Sequence, residues 1–187
     1  MRKFSLAVLC SFLVGSITLA AGDYTPPQSD AEKIANAASA APAAVGNGAT
    51  VIDIDAKGNL RTLRKGENRW ICNPDAPWTP GNDPQCLDEN GWAWTLALLK
   101  QETPPTGKVG FGYMLQGGAD PSNTDPFAME PAHGMPWIIT PPHVMIFNYG
   151  QLPPDYPQIL LGEKPDTSRP WVMWTGTPYA HSMIPVQ

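Results

Sequence analysis

Alternation of apolar and polar residues predicts a chain built mainly of β-strands. Segments 49–55 and 60–64 alternate in this way on either side of a turn signal at 57–59, which is typical of a β-hairpin. The clearest alternation runs over 108–116, and a short apolar stretch over 69–72 predicts one more strand.

Two other stretches predict helices of different kinds. Ser29 and Glu32 form a capping box that opens an alanine-rich segment, and Pro42 ends it. This helix has only Ile34 and small residues to bury, so we expect it on the surface. The second helix covers 92–99, where Trp and Leu residues point in all directions, a feature of buried helices.

These elements predict an α+β fold in which an antiparallel sheet carries one packed, buried helix. The alternative is an all-β sandwich with an inserted helix. We assign residues 1–21 to a signal peptide, 22–48 to a leader with the surface helix, and 49–187 to a single globular domain.

The signal peptide is predicted from three features in order. Arg2 and Lys3 give a positive start, 4–19 is almost wholly apolar, and 18–22 supplies small residues for cleavage. No further long apolar run follows, so no membrane span is expected after cleavage. The predicted location is the periplasm or the extracellular space.

Cys72 and Cys86 remain after cleavage of the signal peptide. In an oxidising compartment two nearby cysteines most simply form one disulfide. The alternative is a metal site, but no histidine lies between Cys72 and Cys86 to serve as a further ligand.

The charge of the chain bears on its partners. The formal net charge is −5, and loss of the basic signal peptide makes the chain more acidic. An acidic surface argues against nucleic acid and against anionic membranes as partners.

Two segments near the C-terminus share a pattern of chemistry. Each starts with Pro-Trp and ends with His-x-Met-Ile, which places His143 and Met145 in one and His181 and Met183 in the other. Residues two apart share a face of a strand, so neighbouring strands would form a His/Met cluster. Imidazole and thioether ligands suit copper, above all Cu(I). The alternative is that these side chains are core residues.

A loop that follows the clearest strand carries oxygen ligands. Asp120, Asn123 and Asp125 lie within six residues and predict a calcium site, although the glycine and distal glutamate of an EF-hand loop are absent. Alternatively, their side chains bond to the backbone and shape the loop.

Two further hypotheses concern catalysis and organic ligands. His143 or His181 as a general base would give a hydrolase-like enzyme, with Asp120 or Asp125 to orient the imidazole. Seven tryptophans favour an organic or carbohydrate ligand instead, although most of them would fill the core. The predicted contacts of such a ligand are Gln116, Gly117, Gly118 and Tyr179.

Several motifs together resemble a family of uncharacterised exported bacterial proteins. They are Trp70-x-Cys72-x-Pro74-Asp75, Thr79-Pro80-Gly81-Asn82-Asp83-Pro84-x-Cys86, Tyr113-Met114-Leu115-Gln116-Gly117-Gly118, Asn123-Thr124-Asp125-Pro126-Phe127, Pro142-His143-Val144-Met145 and Gly176-Thr177-Pro178-Tyr179-Ala180-His181. The resemblance implies export and a single domain.

Taken together, the sequence predicts an exported binding protein. Its site would be a cleft near His143, His181 and the loop 117–125, with a transition metal favoured over an organic ligand. A hydrolase-like enzyme and a purely structural role are the alternatives.

Overall fold

A computed structural model of the protein describes residues 24–148, 150, 156 and 162–186, so the predicted signal peptide lies outside the described residues. The described part contains three helices and ten strands. The helices are α1 (Asp30–Ser39), α2 (Ala43–Gly46) and α3 (Glu89–Leu99). The strands are β1 (Thr50–Ile54), β2 (Leu60–Arg64), β3 (Ile71–Asn73), β4 (Gln85–Leu87), β5 (Gly110–Met114), β6 (Gly118–Asp120), β7 (Ile138–Thr140), β8 (His143–Phe147), β9 (Trp171–Met173) and β10 (His181–Pro185).

Eight strands form one sheet in the order β2-β1-β3-β4-β5-β8-β10-β9, and β6 pairs with β7 in a separate two-stranded sheet. The structure is therefore mostly sheet with a few short helices, in outline as predicted. The large sheet is mixed, not wholly antiparallel as predicted, because β1 and β3 run parallel. Residues 65–70 carry the chain back to the start of β1, where the amides of Glu67 and Asn68 donate to the carbonyl of Gly48.

Helix α3 packs on the sheet because small residues let the backbones approach. Its N-cap, Asp88, accepts hydrogen bonds from the amides of Gly91 and Phe111 and so joins the helix to β5. A Cβ atom on Gly110 would lie 2.4 Å from the Gly91 nitrogen. The predicted burial on all sides is only partly observed, since Trp94 is buried whereas Leu99 is exposed.

Helix α1 opens with the predicted capping box between Ser29 and Glu32. Its alanines, Ala37 and Ala40, are fully buried against the half of the sheet that contains the disulfide. Small side chains suit this position because they bring the helix close to the strands. No helix within the described ranges is long and apolar enough to cross a membrane.

The predicted disulfide joins β3 to β4. Cys72 and Cys86 are direct partners in the register of these strands, and their Cα atoms are 4.0 Å apart. Both are fully buried. The bond therefore closes the loop 73–85 at its base.

Candidate functional site

A cavity of about 290 Å³ lies between α3, the disulfide-closed loop and strands β8 to β10. Its lining is dominated by aromatic and methionine side chains. The aromatic members are Trp78, Trp94, Trp137, Phe147 and Trp174, and the methionines are Met114, Met129, Met145, Met173 and Met183. The polar members are Asn73, Thr79, Asp83, Gln85, Thr95, Asp120 and His181.

The disulfide-closed loop supplies one wall of this cavity. Asn73, Trp78, Thr79 and Asp83 all belong to it and line the cavity. Several prolines exclude regular structure in the loop, so its shape depends on the disulfide and on side-chain hydrogen bonds.

The closed end of the cavity is an aromatic cluster around His181. The ring of His181 lies 5.0 Å from that of Trp94 and 5.0 Å from that of Trp174, centroid to centroid. Phe147 stacks on the same imidazole at 5.3 Å. His181 is buried, and Met183, two residues along the same strand, is also buried and lines the cavity.

The hydrogen bond of His181 determines which ring nitrogen is free. Nδ1 lies 3.0 Å from the carbonyl oxygen of Tyr179 and so carries the proton, which leaves Nε2 as the atom with a lone pair. Burial lowers the pKa of His181 to about 4, and its hydrogen bond to the Tyr179 carbonyl opposes this only in part. The imidazole is therefore neutral at physiological pH.

Trp174 has a strained backbone, with φ at 56°, which a bulky residue rarely adopts. Two hydrogen bonds hold it there: its amide donates to the Asn123 carbonyl (2.8 Å) and its indole Nε1 to the Ser122 carbonyl (3.0 Å). The turn that supplies both carbonyls is in turn bound by Glu163, which accepts from Ser122 Oγ and from the amide of Asn123. Strain of this kind concentrates at functional sites.

A network of polar groups supports the carboxyl of Asp83. Thr79 Oγ1 donates to Asp83 Oδ2 (2.7 Å), and the Asp83 amide donates to Asp75 Oδ1 (2.9 Å). Asp75 in turn accepts from the hydroxyl of Tyr24 and is itself buried. Burial, and then the hydrogen bond with Asp75, raises the pKa of Asp83 to about 8. Burial likewise raises the pKa of Asp120, the second carboxyl of the lining, to about 7.

Two buried polar atoms on lining residues have no hydrogen-bond partner in the described structure. They are Oδ1 of Asn73, an acceptor, and Nε1 of Trp94, a donor. Both residues are more than nine-tenths buried. An unpaired buried polar atom is costly, so these atoms favour a ligand that carries complementary groups.

The open end of the cavity is formed by Trp78, Met129 and Trp137. These three also border a shallow groove along residues 129–137, which contains His133. Trp78 is 41% exposed and Met129 68% exposed, in contrast to the buried residues around His181. The lining thus runs from an exposed aromatic mouth to a sealed aromatic end.

The predicted His/Met strands, β8 and β10, are antiparallel neighbours, and Met145 lies directly opposite Met183. His143 lies opposite Pro185, four positions from His181 along β10, roughly 13 Å at about 3.3 Å per residue. His143 is fully buried and outside the cavity lining. The structure thus brings His181 to the cavity with both methionines and leaves His143 apart.

His143 has the same tautomer as His181. Its Nδ1 lies 2.7 Å from the Pro141 carbonyl, and its Nε2 is buried without a partner. Neither imidazole is hydrogen-bonded to a carboxylate in the described part of the chain, so the orientation expected of a general base assisted by Asp120 or Asp125 is not found.

The residues of the predicted calcium site do different things. Asp120 lines the cavity, Asn123 donates from Nδ2 to the Gly162 carbonyl, and Asp125 accepts from the amide of Phe127. Among the described residues no three His, Cys, Asp or Glu side chains come together as a metal site. Hydrogen bonds shape this loop instead, and Glu163, which lies outside the loop, accepts two of them from Ser122 and Asn123.

The four predicted contacts of an organic ligand lie outside the cavity lining. Gln116 donates to the Ser39 carbonyl, and the hydroxyl of Tyr179 donates to the Glu102 carbonyl. Gly117 and Gly118 allow close packing of the β6 hairpin, since a Cβ on Gly117 would lie 2.6 Å from the Thr140 carbonyl oxygen. These four residues therefore make hydrogen bonds and packing contacts within the protein, outside the cavity lining.

The sequence matches no protein-family model, and comparisons with curated proteins and with solved structures find no match. Sequence reasoning did not find Asp83, Trp94 or Trp174 as site residues. The density of tryptophans pointed to Trp94 and Trp174, and no signal in the sequence pointed to Asp83.

Proposed function

We propose that the protein is an exported binding protein that takes a small organic molecule into the tryptophan- and methionine-lined cavity. One observation carries this proposal: the cavity holds unpaired polar atoms, Asn73 Oδ1 and Trp94 Nε1, within an otherwise aromatic and thioether lining. Ligand sites have this composition, with a few placed polar groups in an apolar wall.

The volume of the cavity limits the size of the ligand. About 290 Å³ is at the lower end of the range for small-molecule sites, so the ligand is a compact molecule. Burial of its apolar part would contribute about 25 cal/mol for each Å² removed from water. Methionines adapt their shape to an irregular ligand better than branched residues do.

Export is part of the proposal and has two supports. The N-terminal sequence has the three-part pattern of a signal peptide. The buried Cys72–Cys86 disulfide suits an oxidising compartment. The likeness to exported bacterial proteins agrees with both.

Native mass spectrometry of protein isolated from its producing cells tests the binding proposal. We expect an organic adduct that stays bound under native conditions and is released on unfolding. Ala128→Trp places an indole in the lining, whereas Ala132→Trp adds the same indole in the groove outside it. The adduct should be lost in the first variant only; equal occupancy in both, or no adduct in the native protein, contradicts the proposal.

Copper binding is a second candidate function, favoured by a specific arrangement. Met145 and Met183 are cross-strand partners, and His181 lies on the same cavity with Nε2 free. Metal-bound histidines typically donate their other ring nitrogen to a carbonyl, as His181 does to Tyr179. Two thioethers and one imidazole suit Cu(I).

Titration with Cu(I) against a chromophoric chelator tests this candidate. Met145→Leu/Met183→Leu keeps the volume of the side chains and removes both sulfur atoms. Met135→Leu in the outer groove is the matched control. We expect one bound Cu(I) in the native protein and the control, and none in the double variant; unchanged binding in the double variant rules out this site.

A further inference from the structure

The charged groups of the lining are all of one sign. Asp83 and Asp120 are its carboxyls, and the described lining contains no lysine or arginine. His181 is a neutral imidazole because it is buried, and its bond to the Tyr179 carbonyl fixes which ring nitrogen carries the proton. An anionic ligand would find no cation to pair with, so the cavity discriminates against anions.

Four of the seven tryptophans of the chain line the same cavity: Trp78, Trp94, Trp137 and Trp174. The face of an indole carries negative potential and attracts cations, in particular alkylated ammonium groups that shed water easily. Proteins commonly bind alkylated ammonium groups with aromatic rings and carboxyl groups together.

The unpaired polar atoms add a second requirement. Trp94 Nε1 is a donor without an acceptor, so the ligand should present an oxygen atom. Asn73 Oδ1 is an acceptor without a donor, which suits the hydrogen of a hydroxyl or of an ammonium group. A hydroxyl can satisfy either atom.

We propose that the ligand is a small organic cation, an alkylated or protonated amine that carries a hydroxyl or carbonyl oxygen. The inference rests on the binding function proposed above and names the chemical class of its ligand. Asp120 and Asp83 supply the negative charge, and the indoles enclose the cation. Trp94 Nε1 donates to the oxygen function, and Asn73 Oδ1 accepts from a hydroxyl or an ammonium hydrogen of the ligand.

The test compares cations with neutral molecules of the same shape. Choline is paired with the alcohol in which carbon replaces its quaternary nitrogen, and benzyltrimethylammonium with neopentylbenzene. Isothermal titration at a pH of about 8 measures each pair, because Asp120, with a pKa of about 7, is largely ionised there and Asp83, with a pKa of about 8, is partly ionised. We expect at least one cation to bind about tenfold or more tightly than its neutral partner, a difference that a single charge contact can supply.

The outcomes separate the two proposals. Neutral molecules that bind as well as or better than the cations overturn the cation inference and leave the binding function intact. Binding of none of the four probes also overturns the cation inference, while the adduct measured by native mass spectrometry decides the binding function separately.

Asp120→Asn tests whether the carboxylate of Asp120 supplies the negative charge that binds the cation. This variant should reduce the preference for the cation about tenfold and leave the neutral partner unaffected. Asp125→Asn changes a nearby carboxylate outside the lining and should have no effect. Asp83→Asn gives a second measurement should Asp120→Asn fold poorly. An unchanged preference in whichever of the two variants folds overturns the inference.

Discussion

The indole rings of Trp94 and Trp174 are parallel to within 4°, with their centroids 6.1 Å apart. One ring comes from α3 and the other from the segment after β9, and His181 contacts both of them. This relationship joins the helix to the far edge of the sheet and forms the sealed end of the cavity. It depends on the unusual backbone of Trp174.

A pair of variants measures the strain at Trp174. Trp174→Gly and Trp174→Ala both remove the indole, but only glycine adopts φ of 56° without strain. We expect the glycine variant to be more stable than the alanine variant by about 1 kcal/mol in urea unfolding. At an ordinary strand position alanine is the better residue, so an alanine variant of equal or greater stability contradicts the strained conformation.

The disulfide should stabilise both the fold and the cavity wall. Cys72→Ala/Cys86→Ala removes the bond between two cysteines that are 14 residues apart in sequence. Chain entropy predicts that the free energy of unfolding falls by about 3 kcal/mol. Urea unfolding of the variant and of the oxidised protein measures this difference. An unchanged midpoint in both the variant and the reduced protein would mean that the loop is held by its hydrogen bonds alone.

Glu163 should support Trp174 from a distance. Its carboxylate accepts hydrogen bonds from Ser122 and Asn123, whose carbonyls bind Trp174. Glu163→Ala removes these acceptors, and we expect a loss of about 1–3 kcal/mol of stability together with altered tryptophan fluorescence. Glu67→Ala, an exposed glutamate far along the chain, is the control and should change neither quantity. If Glu163→Ala changes neither the stability nor the fluorescence, Glu163 does not support Trp174.

The local elements of the fold were predictable because their signals are local. The capping box of Ser29, the hairpin of β1 and β2 and the disulfide all follow from residues close in sequence. The parallel pairing of β1 with β3 was not predictable. It results from the path of residues 65–70 rather than from any pattern of apolar positions.

The site was predictable only in part. The repeated His-x-Met pattern predicted a cluster if the two strands are neighbours, and the structure has Met145 and Met183 as direct cross-strand partners. The same pattern gave no indication that His181 lines a cavity whereas His143 is sealed. That difference depends on contacts of His181 with Trp94, a residue distant in sequence, and on a turn held by Glu163.

Stability should fall as pH rises from about 6.5 to about 8. Burial raises the pKa of Asp120 from 3.8 to about 7, and burial with the Asp75 hydrogen bond raises that of Asp83 to about 8. Between the ordinary and the raised pKa the folded state binds more protons than the unfolded state, so rising pH favours unfolding. Thermal unfolding across this range measures the effect. Asp83→Asn/Asp120→Asn should remove it, and a flat profile in the native protein contradicts it.

Below this range His181 acts in the opposite direction. Burial lowers its pKa from 6.5 to about 4, so the unfolded chain binds the proton first as the pH falls. Its contribution to stability is therefore lost between these two values. As the pH falls over this interval, the stability of His181→Gln should rise relative to that of the native protein, measured by thermal unfolding of both. An equal loss in the two proteins would show that His181 is not protonated on unfolding.

Binding of an organic cation should strengthen over the pH range in which the free protein loses stability. A cation favours the ionised form of Asp120, whose pKa in the free protein is about 7, so binding must displace its proton at lower pH. One such carboxyl gives a rise of about tenfold in affinity between pH of about 6 and 8, and Asp83 adds to it. His181, the remaining titratable side chain of the lining, stays neutral throughout. Calorimetry of choline or benzyltrimethylammonium in buffers of different ionisation enthalpy measures both the affinity and the protons released. Affinity that is independent of pH, with no proton release, would place the cation away from both carboxyls.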